Sequence, residues 1–225
     1  MPTFWAAGAA IISLAATPAP ATATASSATV TVRVVGDDID LPLPAGYCEP
    51  TGRYIDLAQI IAAVDKESIT LATFYDCAAM AAEEVPKRYI IVKALRAALM
   101  QRITREELLK QLGDIPKSEM TAAIQAATTS EALSKNASEV LGDVDLGAKM
   151  EPADADENGY YMAGVGRFKK DATSYTLAMA VGITSVKGHV LSLSAYQPGE
   201  TMKTIAETLR QARFETSRMV KANQP

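Results

Sequence analysis

Between Ser174 and Asn223 the chain spells out two long strands, a tight turn and one long helix, and this run constrains the fold more than any other. Tyr175, Leu177, Met179, Val181 and Ile183 place large apolar side chains on odd positions, while Ala178, Ala180 and Gly182 keep the even positions small. That period of two marks a half-buried strand. Val190 to Tyr196 keeps the alternation, and Val186-Lys187-Gly188 lies between the two strands. A three-residue loop pairs Ile183 with Leu191, Val181 with Leu193 and Met179 with Ala195, giving one uniformly apolar face with Gly188 as a left-handed bulge, and this is the expected register. A two-residue loop would set Ile183 against Ser192 and Val181 against Ser194. The closing helix carries Met202, Ile205, Leu209, Ala212, Thr216 and Met219 along one stripe, with Phe214 off it.

Upstream, Val30 to Val35 alternates as a strand, and Gly36-Asp37-Asp38 turns the chain into a short edge strand from Ile39 to Pro44. A helix from Tyr54 to Val64 leads into strands at Ile69 to Cys77 and Arg88 to Leu95. Thr104, followed by Glu106 and Glu107, caps a helix that Gly113 stops, and Ser118 to Leu141 reads as one longer Ala-rich helix. After an acidic loop from Glu151 to Gly159 comes a strand from Tyr160 to Phe168. Successive strands joined by short turns predict an α+β fold, a mostly antiparallel sheet packed against helices, as a single domain over 29–225 with a helical insertion at about 103–141.

The apolar run Phe4 to Ala16, followed by Pro18, Pro20 and an Ala/Thr-rich stretch, reads as a signal peptide over 1–28, cleaved between Ala23 and Ala28. No Lys or Arg precedes the run, so an uncleaved membrane anchor is the alternative. Export places the rest of the chain in the periplasm, the cell envelope or the exterior. There, Cys48 and Cys77 are expected to form one disulfide, the competing reading being two unrelated buried thiols. Twenty-two basic against 26 acidic residues, a net charge of -4, give no electrostatic reason to expect nucleic acid.

Leu41 to Cys48, Leu191 to Tyr196 and the closing helix down to Asn223 resemble a group of exported bacterial proteins of uncharacterised function, whose element order is similar to the sandwich of the PsbP and Mog1 type. The resemblance implies a fold and brings no catalytic residues with it.

Asp154-Ala-Asp156-Glu-Asn158-Gly159 matches the first half of a calcium loop, in which oxygens at alternate positions converge on a hard cation. Asp154, Asp156 and Asn158 are the candidate ligands, with Glu151 or Glu157 as a further carboxylate; the competing reading is an acidic turn. His189, the one histidine, sits beside the hairpin turn and is expected at the surface. Asp37, Asp38 and Asp40 read as a solvated loop, and Gly164-Val-Gly166 as a strand that another element approaches closely. No nucleophile motif is present, so no catalytic residue is assigned. The expected function is a non-enzymatic exported module that binds a partner protein or an apolar ligand through the sheet or the 103–141 insertion, without a cofactor. The alternatives are a carboxylate-dependent hydrolase or lyase using Asp154, Asp156 and Glu157, and a calcium-binding structural protein.

Overall fold

The computed structural model describes residues 28–224; the expected signal peptide therefore lies almost wholly outside the described residues. The chain begins with a hairpin, β1 (Thr29–Val34) and β2 (Asp37–Pro42), followed by the short β3 (Tyr47–Cys48), α1 (Arg53–Val64), β4 (Ser68–Asp76), α2 (Cys77–Ala81) and β5 (Tyr89–Leu95). Three helices follow, α3 (Arg105–Asp114), α4 (Lys117–Ala127) and α5 (Ser130–Leu141). Four strands, β6 (Asp145–Ala155), β7 (Tyr160–Lys170), β8 (Thr173–Val186) and β9 (His189–Pro198), then lead into α6 (Met202–Ala222). Seven strands form one antiparallel sheet in the order β3-β4-β5-β9-β8-β7-β6, with the β1–β2 hairpin separate. The architecture is α+β, as the alternation predicts.

One face of the sheet is the main core. Phe74, Ile90, Ala195 and Ala180 form one cross-strand row, and Val92, Leu193 and Gly182 the next. Ala212, Met219 and Val220 of α6 and Val34, Ile39 and Leu41 of the hairpin close over them. The opposite face carries a second row, Tyr75, Tyr89 and Tyr196, with neighbouring ring centroids 6.2 and 4.3 Å apart. Tyr54 of α1 packs on Tyr75 from outside.

This two-sided burial overturns the expected register. The β8–β9 turn has two residues, Lys187 and Gly188, with φ of 50° and 83°, and sets Ile183 against Ser192 and Val181 against Ser194. Both central residues are left-handed, as the twist of a tight hairpin requires. A uniformly apolar face is needed only where the other face meets water. Here α6 demands a low surface instead, and the small residues of β8 supply it next to Leu191 and Leu193. Gly164 is equally constrained, since a Cβ there would lie 1.9 Å from the Lys149 carbonyl oxygen.

Two further boundaries differ. The expected single helix from Ser118 to Leu141 is two helices, because Thr128 ends α4 with its N–H and hydroxyl turned back to the Ile124 carbonyl. The break frees the Thr128 carbonyl to accept the Ala148 N–H on the outer edge of β6. The Ser134 hydroxyl bonds the Leu146 backbone on the same edge, and Pro152 has no N–H to offer, so this edge strand is blunted against pairing. The acidic loop is also shorter than expected: β6 runs on to Ala155 through a bulge between Pro152 and Asp154, leaving a turn at Asp156 to Gly159.

Candidate functional site

At one end of the sheet the start of α3, the β8–β9 turn and the C-terminal end of α6 enclose a cleft of about 950 Å³. Asp40, Arg105, Glu106, Glu157 and Lys187 supply its charged lining, and Leu109, Val186 and Val220 its apolar part.

Local chemistry fixes each wall. A capping box starts α3: the Thr104 hydroxyl accepts the Glu107 N–H at 3.2 Å, and the Glu107 carboxylate accepts the Thr104 N–H at 3.0 Å. The Thr104 hydroxyl and backbone together hold the Glu107 carboxyl below its ordinary range. Arg105 Nε donates to the Glu157 carbonyl at 2.9 Å and Lys187 Nζ to the Asp38 carbonyl at 2.7 Å, so both cations are held by backbone rather than by acids. Asn223 clamps the end of α6 to β2, donating to the Asp40 carbonyl at 2.7 Å and accepting the Asp40 N–H at 2.9 Å.

Behind this wall sits His189, which is 1% exposed rather than at the surface. The two-residue turn makes it the first residue of β9, paired with Val186, and Asp37 at the start of β2 bonds its ring. Its Nε2 meets Arg102 Nη1 at 2.6 Å and Asp37 Oδ2 at 3.0 Å, and Nδ1 is buried without a partner. Hydrogen bonding to His189 and then to Arg102 holds the Asp37 carboxyl below the usual range. The expected solvated triplet therefore divides: Asp37 joins this knot, Asp38 pairs with Arg33 at 3.1 Å on the surface, and the Asp40 side chain accepts the Thr31 hydroxyl at 2.7 Å.

Asp154 and Asp156 do converge, on Arg213 of α6. Its guanidinium bonds Asp154 Oδ2, and reaches Asp156 Oδ2 at 3.0 Å while lying over the Tyr161 ring. Burial raises the Asp156 carboxyl, but the Asn158 N–H, the Tyr161 hydroxyl, Arg213 and the Gly159 N–H outweigh it and leave the group below its ordinary value. Asn158 turns away, its side-chain amide donating to Glu157 Oε1 at 3.1 Å. Glu151 lies 3.9 Å from Lys149 on the exposed side of β6. Among the described residues no three carboxylate, histidine or cysteine side chains are grouped to hold a metal ion.

The disulfide forms as expected between Cys48 and Cys77, with Cα atoms 5.2 Å apart, tying β3 to the start of α2. Over 29 residues such a link is worth roughly 3 to 4 kcal/mol on the chain-entropy view. A disulfide fits an oxidising compartment. Among the described residues no helix is long and apolar enough to cross a membrane.

No protein-family model matches the chain, and no curated protein does either.

Arg102 and Arg213 are not marked out in the sequence. Each is one of many basic residues, and its partner lies 65 or more positions away in the case of Arg102 and 57 or more in that of Arg213. The one local signal was the D-x-D spacing, which announces a cation without saying that a guanidinium supplies it.

Proposed function

We propose that this chain is an exported binding module that holds a segment of a partner protein in the cleft between α3, the β8–β9 turn and the end of α6. The lining of that cleft carries the reading. Five charged side chains of both signs surround an apolar floor that includes Leu109, Val186 and Val220, a mixed lining that suits a polypeptide segment. The walls are preformed, by the capping box, the Asn223 clamp and the backbone-held cations, so little ordering cost falls on binding. The disulfide and the apolar N-terminal run support export.

A photo-crosslinking residue at Glu106, in the cleft, compared with the same residue at Glu119, exposed on α4, tests the reading in the cell envelope. The expected result is a discrete protein adduct from position 106 alone. Equal labelling from both positions, or none from 106, defeats it.

A further inference from the structure

The β1–β2 hairpin stands apart from the seven-stranded sheet, so each of its strands has one edge that no strand pairs. Its turn, Val35-Gly36, has φ of 47° and 95°, and the pair it closes, Val34 and Asp37, exchanges backbone hydrogen bonds. Bonded pairs alternate along an antiparallel ladder, so Val32 with Ile39 and Val30 with Leu41 bond as well. The Leu43 N–H on the Ala28 carbonyl, at 2.7 Å, continues the same phase. The backbone groups of Asp38 and Asp40 therefore point out of one edge of the hairpin, and those of Thr29, Thr31 and Arg33 out of the other.

The β2 edge is answered group by group. Lys187 Nζ donates to the Asp38 carbonyl at 2.7 Å, Asn223 takes both the N–H and the carbonyl of Asp40, and Pro42 has no N–H to offer. The β1 edge is not answered. Among the described residues no hydrogen bond reaches the backbone of Thr29, Thr31 or Arg33. Nor does β1 carry the usual guards of an open edge, since it has no proline, no lysine and no bulge. The outer edge of β6, by contrast, meets Thr128, Ser134 and its own Pro152.

We propose that this edge pairs with a second copy of the chain, β1 antiparallel to β1 with Thr31 opposite Thr31, joining two hairpins into one sheet across a two-fold axis. The strand is self-complementary in that register. Thr29 faces Arg33 of the second copy and Arg33 faces its Thr29, so every outward N–H and carbonyl of the three residues meets its counterpart. Val30 meets Val32 on the inner face, and both are only half-buried in one copy. Each Arg33 keeps its own Asp38 at 3.1 Å and faces a neutral threonine, so no like charges oppose each other. A slip of one residue would set valines against threonines, and a slip of two would leave one outward residue beyond the end of the partner strand. Only the β1 sequence itself supplies this match, which makes the second copy the occupant. Asp40 and Lys187 line the cleft from the β2 side, so the pairing is independent of what the cleft binds.

Oxidation of the full chain carrying Thr31→Cys tests the register. Position 31 lies on the two-fold, where opposed Cα atoms are about 5.5 Å apart and within reach of a disulfide. Arg33→Cys is the control, because the two positions 33 are four residues out of step, roughly 14 Å apart, and cannot be bridged. The expected result is at least about tenfold more cross-linked dimer from Thr31→Cys than from Arg33→Cys. Sedimentation of the unaltered chain should show its mean mass rising toward twofold as concentration is raised to about 1 mM. Thr31→Pro removes an outward N–H that the hairpin does not use, and should hold the mass at one copy. Should that variant not fold, Thr31→Lys decides, since it sets two like charges against each other on the two-fold. Equal cross-linking from both cysteine variants, or a dimer that survives in Thr31→Lys, overturns the proposal. So does a mass that stays at one copy throughout, which would leave this edge to a strand of another protein.

Discussion

Thr216 stands directly over Gly182. A Cβ at position 182 would lie 2.5 Å from the Thr216 hydroxyl oxygen, and Tyr161 closes the same space from the side at 3.0 Å. This contact sets how closely α6 approaches the sheet, and the Thr216 hydroxyl accepts burial without a hydrogen bond to make it. Gly182→Ala should destabilise the fold by about 1 to 3 kcal/mol through overpacking. Pairing it with Thr216→Ala should recover part of the loss. Urea midpoints of the two single variants and the double variant test this, and strictly additive losses would contradict it.

The two-residue β8–β9 turn makes a prediction that the three-residue loop does not. Lys187 has a φ of 50°, a region that costs most side chains energy and suits asparagine. Lys187→Asn should therefore stabilise the chain by roughly 0.5 kcal/mol, in spite of the exposed bond it gives up to Asp38. A lower thermal midpoint in this variant would count against the turn.

Asp156 makes stability depend on acid in a defined direction. Its folded carboxyl sits below the ordinary value, so its contribution is complete above the unfolded carboxylate pKa of about 3.9 and is lost as pH falls through the lower folded value. Asp156→Asn should cost about 1 to 2 kcal/mol at neutral pH, and the gap to wild type should close below about pH 4. Chemical denaturation from neutral pH downward checks this. A gap that stays constant with pH would show that the carboxylate charge is not what matters.

Glu215 has the opposite sign. Burial raises its carboxyl by more than Arg218, at 2.7 Å, lowers it. The ionised form therefore costs stability at neutral pH, and that cost is relieved as pH falls through the raised folded value toward the unfolded value of about 4.3. Glu215→Gln keeps an acceptor for Arg218 and removes the buried charge, so it should leave stability at neutral pH unchanged or raise it by up to about 1 kcal/mol. A loss larger than that, read by calorimetry, would mean that the ion pair is net stabilising.

What could be read in the sequence was what neighbouring residues decide among themselves. The Thr104 and Glu107 capping box, the alternation along β8 and β9, and the off-stripe position of Phe214, 62% exposed, all follow from local spacing. The β8–β9 register did not follow, because choosing a uniformly apolar face presumes one wet side, whereas Leu191 and Leu193 are buried on one face of the sheet and Tyr75 and Ile91 on the other. His189 looked like a surface residue because the carboxylate that covers it comes from the other end of the chain. The cleft was legible only as far as its α3 wall, since α6 and β2 join it through the Asn223 clamp.

The place of β9 in the sheet governs the order in which this molecule can be made. The sheet's first part, β3 to β5, and its last part, β6 to β8, share no strand pairing except through β9, which enters between β5 and β8. A nascent chain emerging from its N-terminus thus carries two half-sheets with raw edges until His189 to Pro198 arrives, and contacts of such long sequence separation form slowly. A chain stalled before that strand has nothing with which to join its halves, so it stays open and threadable until β9 has been made.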